Sequence, residues 1–358
     1  MYTRSNALNP VEKALYGGKS VLRWGLTVKN SADPKALLGF AREGIKQGKK
    51  PPRTTAEVLA HTPVANDVEE LERATHKNLA GEYEPFTVLT SVYAGDDPQQ
   101  FERALVSITR EQELKPDQVV LVQDGPVPDQ LQATIDRASD IAGQHIDVVR
   151  LAENQGLALA LEAGLKVAKH EIIARADADD VSLPQRFAKQ LPLMSGRDLI
   201  GSAIAEFERD ETQWGMIRVL PAKHKDIAKT ARFRDPFNHP TVVMRKSALE
   251  RAGGYQHLDR REDYWLFARM IASGARTANI EEPLVAYRVG AGAYARRGGR
   301  DLFDSELELQ RNLLRIGFVT PAQYARNVVI RAGYRLIPTV VRKSLYQGVG
   351  TLSWFRRG

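Results

Sequence analysis

Three aspartates, Asp177, Asp179 and Asp180, fall within four residues in the stretch EIIARADADDVSLPQRF (residues 171–187), directly after an apolar run. Carboxylates this close titrate together and repel one another unless a cation neutralises them. An all-oxygen set on a loop suits Mg²⁺ or Mn²⁺, which take one or two carboxylates together with substrate phosphates. Asp177 and Asp179 therefore read as a platform for a metal-bound diphosphate. Asp180 or Ser182 reads as the cap of a helix entering at Leu183-Pro184. Two further sets of acids stand at element ends. Asp124 closes an apolar run, and Glu262-Asp263 opens a helical one. Taken alone, that last pair is favourable charge at a helix N-terminus.

Strands and helices must aim these groups. FTVLTSVY (86–93), DQVVLVQDG (117–125), HIDVVRL (145–151) and EIIARA (171–176) are short apolar runs expected as strands. DDPQQFERALVSI (96–108) reads as a helix with Asp97 as N-cap and Pro98 at its first position, and GLALALEAGLKVAKH (156–170) reads as another. Alternating strands and helices imply an α/β fold: a mainly parallel, Rossmann-like sheet covered by helices on both faces. Ligands of such sheets sit beyond the carboxyl ends of the strands, so Asp124 and Asp177 should share a crevice. Further on, DLIGSAIAEF and TVVMRKSAL read as a strand and a strand–helix unit. REDYWLFARMIASG (261–274) reads as a helix and LVAYRV (284–289) as a short strand, and helices are expected over 301–316 and 321–347.

With 358 residues, 43% of them hydrophobic, the chain can bury a sizeable core. The net charge of +7 is unevenly spread: residues 1–55 carry 11 Lys/Arg against 3 acids, and residues 309–358 carry 9 and no acid. The middle is therefore net acidic. Such a body with basic ends points to anionic surfaces, and the absence of any base-reading motif argues against a nucleic-acid partner. There is no cysteine, which excludes disulfides, thiolate zinc and cysteine nucleophiles. No uncharged apolar window of about 18 residues marks a membrane span, and the start lacks a secretory apolar stretch.

Three regions follow: an N-terminal extension over 1–85, the main α/β domain over 86–300, and basic helices over 301–358. Within the extension, 48–55 reads as a linker and 55–76 as an acidic helix. Near the end, Arg331, Arg335 and Arg342 share a helical face beside Ile330, Tyr334, Ile337, Val341 and Leu345, with Pro338 interrupting. That is the pattern of an in-plane helix on an anionic membrane. The alternative is a helix pair packed on the main domain.

The DADDVS segment also fits the D-x-D-x-[T/V] pattern of haloacid-dehalogenase-type phosphatases, with Asp177 as nucleophile. That motif follows the first strand of its domain, whereas three strands precede it here.

Six blocks occur in order: FTVLTSVYAGDDPQQFERALVSI, QVVLVQDGP, ENQGLALALEAGLKVA, IIARADADDVSLPQRF, FNHPTVVMRKSALERAGGY and REDYWLFARM. Together they resemble the bacterial family 2 glycosyltransferases of the GT-A fold, of the kind that build capsular and exopolysaccharides such as amylovoran. The likeness covers about residues 86–290. It implies a nucleotide-diphospho-sugar donor, a glycan or lipid-linked acceptor, a divalent metal (Mg²⁺ or Mn²⁺) and inversion at the anomeric carbon. It implies a cytoplasmic enzyme, peripheral on the inner face of the cell membrane. Ser91, Val92 and Tyr93 would border the nucleotide base, Asp124 the base or ribose, and Asn154 and Gly156 the nucleotide. Arg175 and Asp177 would face the nucleoside, Asp179 would hold the metal, and Asp263 of the Glu262-Asp263 pair would be the base. His239 of FNHP is a candidate for the acceptor pocket or for a capped turn. Arg288 is a candidate for the diphosphate or for a plain surface charge. The Gly- and Arg-rich stretch 290–300 is a candidate cover for the donor, although it lacks the family's His-Ser pair. No Q-x-x-R-W motif is present, which argues against a processive synthase. A non-catalytic nucleotide-sugar-binding scaffold is the alternative within this fold.

Overall fold

The structure is a computed structural model and describes residues 83–289 and 300–336. The expectations for 1–82, for the stretch 290–299 and for 337–358, including Ile337, Val341, Arg342 and Leu345, lie outside the described residues.

The first half follows the expected alternation. Strand β1 (Phe86–Tyr93) leads to helix α1 (Pro98–Ser107), then to β2 (Gln118–Asp124), α2 (Asp129–Asp136) and α3 (Ala138–Ala142). Next come β3 (Ile146–Arg150), α4 (Leu157–Val167) and β4 (Ile172–Arg175). Asp97 caps α1 by accepting from the N–H groups of Gln99 and Gln100, both at 2.9 Å, with Pro98 in the first turn. All residues of β2 and β4 are buried, as near-continuous apolar runs of parallel strands require.

The second half adds β5 (Val181–Ser182), α5 (Arg186–Gln190), β6 (Leu199–Phe207), β7 (Ile217–Arg218) and α6 (His224–Ala231). It continues through β8 (Val243–Arg245), α7 (Lys246–Arg251), α8 (Glu262–Ala272), β9 (Thr277–Arg288), α9 (Arg300–Arg315) and α10 (Pro321–Leu336). The described strands form one nine-stranded sheet of order β3-β2-β1-β4-β8-β6-β9-β5, with β7 beside β6. β1 to β4, β6 and β9 run in one direction, while β8, β5 and β7 oppose them. The sheet is thus mainly parallel, as expected, and separates two apolar cores.

Two local expectations are corrected. Val181–Ser182 is a strand paired with Val285 and Ala286 of β9. Asp180 and Ser182 therefore cap no helix; α5 starts only at Arg186, after Gln185, which makes no side-chain cap. β9 begins at Thr277, seven residues before the expected strand. The early part of α10 packs inward. Leu307, Leu313, Phe318, Tyr324 and Val328 share the core that holds Leu266 and Met270 of α8. Among the described residues no helix is long and apolar enough to cross a membrane.

Candidate active site

The carboxyl ends of β1, β2 and β4 open on one side of the sheet. β1 and β2 end level, with Tyr93 opposite Asp124, whereas Arg175 of β4 lies opposite Leu89. Ser91, Val92 and Tyr93 therefore run past the end of β4 beside the aspartate loop, with Val92 buried and Tyr93 exposed. Asp124 is buried, and its two oxygens accept from the backbone N–H groups of Gln155 (2.7 Å) and Gly156 (3.0 Å). Asn154 Nδ2 donates to the Asp124 carbonyl at 3.2 Å. Asp124, Asn154 and Gly156 thus meet as expected, with the Asp124 carboxylate engaged by main chain. This closeness requires Gly125, whose φ is +82° and at which a Cβ would stand 2.5 Å from the Asn154 nitrogen. At Gly156 a Cβ would meet nothing within 4 Å, so that backbone faces open space.

Arg175 is fully buried and forms an ion pair with Asp177. Asp177, Asp179 and Asp180 each present an oxygen within 4.8 Å of the others. The loop is braced from two sides. The Arg288 N–H donates to Asp180 Oδ1 at 2.8 Å, and Arg288 Nε donates to the Asp179 carbonyl at 2.9 Å while its guanidinium lies 4.5 Å over the Phe207 ring. Arg288 thus holds the loop through its backbone. From below, the fully buried Arg186 donates to Ser182 Oγ (2.8 Å), the Arg175 carbonyl (2.6 Å) and Gln190 Oε1 (3.2 Å). Nothing in LPQRF marks Arg186 as such a clamp.

Burial, and then its aspartate neighbours, push Asp179 up to about 6 and Asp180 well above the usual carboxylate range. Asp180 Oδ2 is buried and has no hydrogen-bond partner. Three convergent carboxylates, two of them raised by burial and repulsion and one of these with an orphaned oxygen, fit a hard divalent cation.

A fourth acid joins them. Asp96 accepts from the Tyr93 N–H at 2.9 Å, and burial, with Asp179 and Asp177 nearby, pushes it up to about 6. Sequence reasoning passed over it in GDDP because Asp97 accounts for the helix cap. Two adjacent acids where only one can cap were the signal.

Across the crevice, Glu262 and Asp263 open α8, preceded by Arg260 at a φ of +56°. Burial, and then Asp263, push Glu262 up to about 7. Asp263 Oδ1 accepts from the Tyr264 N–H at 2.6 Å. Its carboxyl is also in hydrogen-bond contact with that of Asp235, a residue the sequence gave no reason to single out. Burial raises both carboxyls, and their mutual repulsion raises Asp235 further. Arg261, next in the chain, pairs with the buried Glu306 of α9 at 3.0 Å, and Glu306 in turn pairs with Arg331 of α10 at 2.9 Å. Arg331 also donates to the Phe233 carbonyl, so this arginine of the expected membrane-facing stripe turns into the domain.

His239 lies in a short 3-10 turn, buried, with Nε2 3.0 Å from the Tyr255 hydroxyl. Burial, and then Arg175, hold it well below the usual histidine range, so it is neutral. Arg175 links the two sides: its charge lowers Asp179 and Asp180 of the loop as well as Glu262 and Asp263 of α8. Arg175 thus bears on both the acidic loop and the Glu262-Asp263 pair.

The family profile "Glycosyl transferase family 2" matches residues 87–253. The chain is 37% identical over 268 residues to the "Amylovoran biosynthesis glycosyltransferase AmsE" of Erwinia amylovora, covering 73% of this chain and 98% of that protein. It is 33% identical over 267 residues to the "UDP-Gal:alpha-D-GlcNAc-diphosphoundecaprenol beta-1,3-galactosyltransferase" of Escherichia coli, covering 74% of this chain and 96% of that one. Among solved structures, S. aureus TarS 1–349 in complex with UDP-GlcNAc superimposes with a TM-score of 0.52 at 15% identity, covering 67% of this chain and 69% of that one. That likeness concerns the fold.

Proposed function

The chain belongs to glycosyl transferase family 2, has the GT-A fold and serves bacterial surface-polysaccharide synthesis; from this premise we propose an inverting, metal-dependent transfer of one sugar from a nucleotide diphosphate to a lipid-linked glycan. The observation that carries this reading is the acidic trio at the carboxyl end of β4, where Asp177, Asp179 and Asp180 each offer an oxygen within 4.8 Å of the others.

Asp179, with Asp177 and Asp180 beside it, would hold Mg²⁺ or Mn²⁺. When bound, the ion supplies charge stabilisation to the departing diphosphate. The remaining work falls to the chain's own side chains. Ser91, Val92, Tyr93 and the Asn154–Gly156 loop would border the nucleoside, with Asp124 fixing that loop. Arg175 would hold Asp177 toward the nucleoside. His239 and Tyr255 would pack the floor, and Arg288 would keep the loop in shape below the diphosphate. Asp263 would take the proton of the acceptor hydroxyl as that oxygen attacks C1 from the face opposite the leaving group. Glu262, next to it, would accept a hydrogen bond from the acceptor sugar.

The lipid-linked acceptor is supported by the Escherichia coli relative, whose name specifies a diphosphoundecaprenol-linked sugar. The nine Lys/Arg and no acid of residues 309–358 support a peripheral seat on the inner face of an anionic membrane. With Arg331 turned inward, that contact would fall to the residues after 336.

The test is a transfer assay. Purified protein, UDP-sugars and a diphosphoundecaprenol-linked sugar should yield a lengthened lipid in Mn²⁺ or Mg²⁺, and none in excess EDTA. The new linkage should have the opposite anomeric configuration to the donor. Full turnover in EDTA, or retained configuration, would remove the proposed mechanism.

A further inference from the structure

Asp235 lies in the turn after α6, four residues beyond Ala231, and Asp263 lies in the first turn of α8. Each carboxyl is pinned by backbone. Asp235 Oδ1 accepts from the Phe237 N–H at 3.2 Å, and Asp263 Oδ1 accepts from the Tyr264 N–H at 2.6 Å. The Tyr264 hydroxyl donates to the Ala231 carbonyl at 2.7 Å, tying the two segments together. Asn327 Nδ2 of α10 donates to the Arg232 carbonyl at 2.9 Å, and Arg331 donates to that of Phe233, which hold the turn from behind. These bonds hold the two carboxyls beside one another.

Two carboxylates in contact and shielded from water cannot both carry charge, so one proton must lie between them. We propose that Asp235 keeps this proton and donates it as a fixed hydrogen bond to Asp263, making Asp235 a positioning residue for the base. This rests on the reading of Asp263 as the base.

The surroundings decide which partner is neutral. Asp263 is faced by Asp235, Arg261 and Arg175, and it bears on Glu262 and on the Tyr255 hydroxyl. Asp235 is faced by Asp263 and Arg261. Glu306 and Arg331 of the C-terminal helices act from behind, through Arg261 and Tyr264. Arg175 bears on Asp263 and not on Asp235, and the N–H bond that Asp263 accepts from Tyr264, at 2.6 Å, is shorter than the 3.2 Å bond to Asp235, so the anion is favoured on Asp263. In the reaction, the acceptor O–H bond breaks and its proton goes to the Asp263 carboxylate. The acceptor oxygen bonds to C1 while the C1–O bond to the nucleoside diphosphate breaks. The Asp235 proton stays in place, and the proton on Asp263 leaves to water after product release.

The test compares Asp235→Ala with Asp235→Asn in the full chain. Alanine removes the donor and should lower kcat by about 50-fold with the donor KM within about two-fold. The acid limb of its pH profile should move to higher pH by about one unit, because a hydrogen bond to the ionised form lowers a carboxyl pKa. Asparagine keeps an N–H donor and should recover kcat to within about five-fold of wild type, with the limb near its original place. Wild type minus Asp235→Asn in difference infrared spectra should show a protonated carboxyl band at neutral pH, which needs no active variant. An alanine variant with unchanged kcat and pH profile, an asparagine variant as slow as alanine, or absence of that band overturns the proposal. Asp263→Ala separates the two readings. If it retains transfer, the base assignment falls and this proposal with it. If it abolishes transfer while both Asp235 variants behave as wild type, only the pairing falls.

Discussion

At the carboxyl end of β4, Asp177, Asp179 and Asp180 share a loop with one side open, and Arg175 is the buried cation that pairs with it. At the start of α8, Asp263 meets Asp235 in a pocket closed from behind by α9 and α10, where Glu306 already links Arg261 and Arg331. Both regions crowd carboxyls in low dielectric, and burial pushes up Asp179 and Asp180 in the one and Asp235 and Asp263 in the other. They differ in what relieves the crowding. The loop leaves an oxygen of Asp180 without a partner, and in the proposed reading an ion from outside relieves it. The pocket supplies its own, because one acid neutralises the other by holding a proton. In the proposed reading similar composition therefore serves opposite ends: one site takes up a cation, and the other keeps its proton private.

The comparison breaks most visibly in activity. Asp179→Ala should reduce transfer by about 10⁴-fold, since a metal at the leaving group contributes several kcal/mol. It should also abolish metal-dependent donor binding in calorimetry. Retention of either would place the ion elsewhere. Asp263→Asn should cost about 10³-fold in kcat yet leave donor and metal affinity within about two-fold; a parallel loss of both would mean the regions are not separate. Glu306→Leu leaves the half-buried Arg261 and Arg331 without their shared partner and should destabilise the fold by about 1–3 kcal/mol. Urea melts would show this, while metal affinity in the surviving folded protein should hardly change. The smallest effect separates the regions by pH. Asp96 and Asp179 are pushed up to about 6 and Glu262 up to about 7. An acid whose folded pKa exceeds its unfolded one costs stability as it ionises. Metal-free protein should therefore lose about 5 °C in melting temperature as pH rises from 5 to 7.5, then level off. Saturating Mn²⁺ should remove the Asp96 and Asp179 share and leave the smaller fall due to Glu262 over the same pH range. A flat metal-free curve, or complete flattening by metal, would contradict the distinction.

The sheet was legible where strands are buried on both faces, because β1, β2 and β4 must then read as unbroken apolar runs. β9 was misjudged because Glu281, Glu282 and Pro283 interrupt it. The structure accommodates them at a register irregularity opposite Ser202–Ile204 of β6, and a proline tolerated at such a place looks like a breaker in sequence. The acids of the loop announced themselves by local crowding. Asp235 did not, since the group that gives it meaning lies 28 positions later and nothing in RDPFNHP encodes that meeting. Arg186 was equally hidden. A guanidinium is ordinarily a surface group, and only the fold shows three acceptors converging on it.

The Arg288 brace has a consequence for how small a working unit of this protein can be. The stretch matched by the family profile stops at residue 253, but the loop it contains takes its shape from a side chain and an amide 35 positions further on. A fragment cut at the profile's edge would also leave the long flank of β6 bare where β9 should lie, an invitation to sticky strand-to-strand association. Chimaeras meant to swap donor preference between relatives should therefore carry β9 along with the aspartates as one inherited piece.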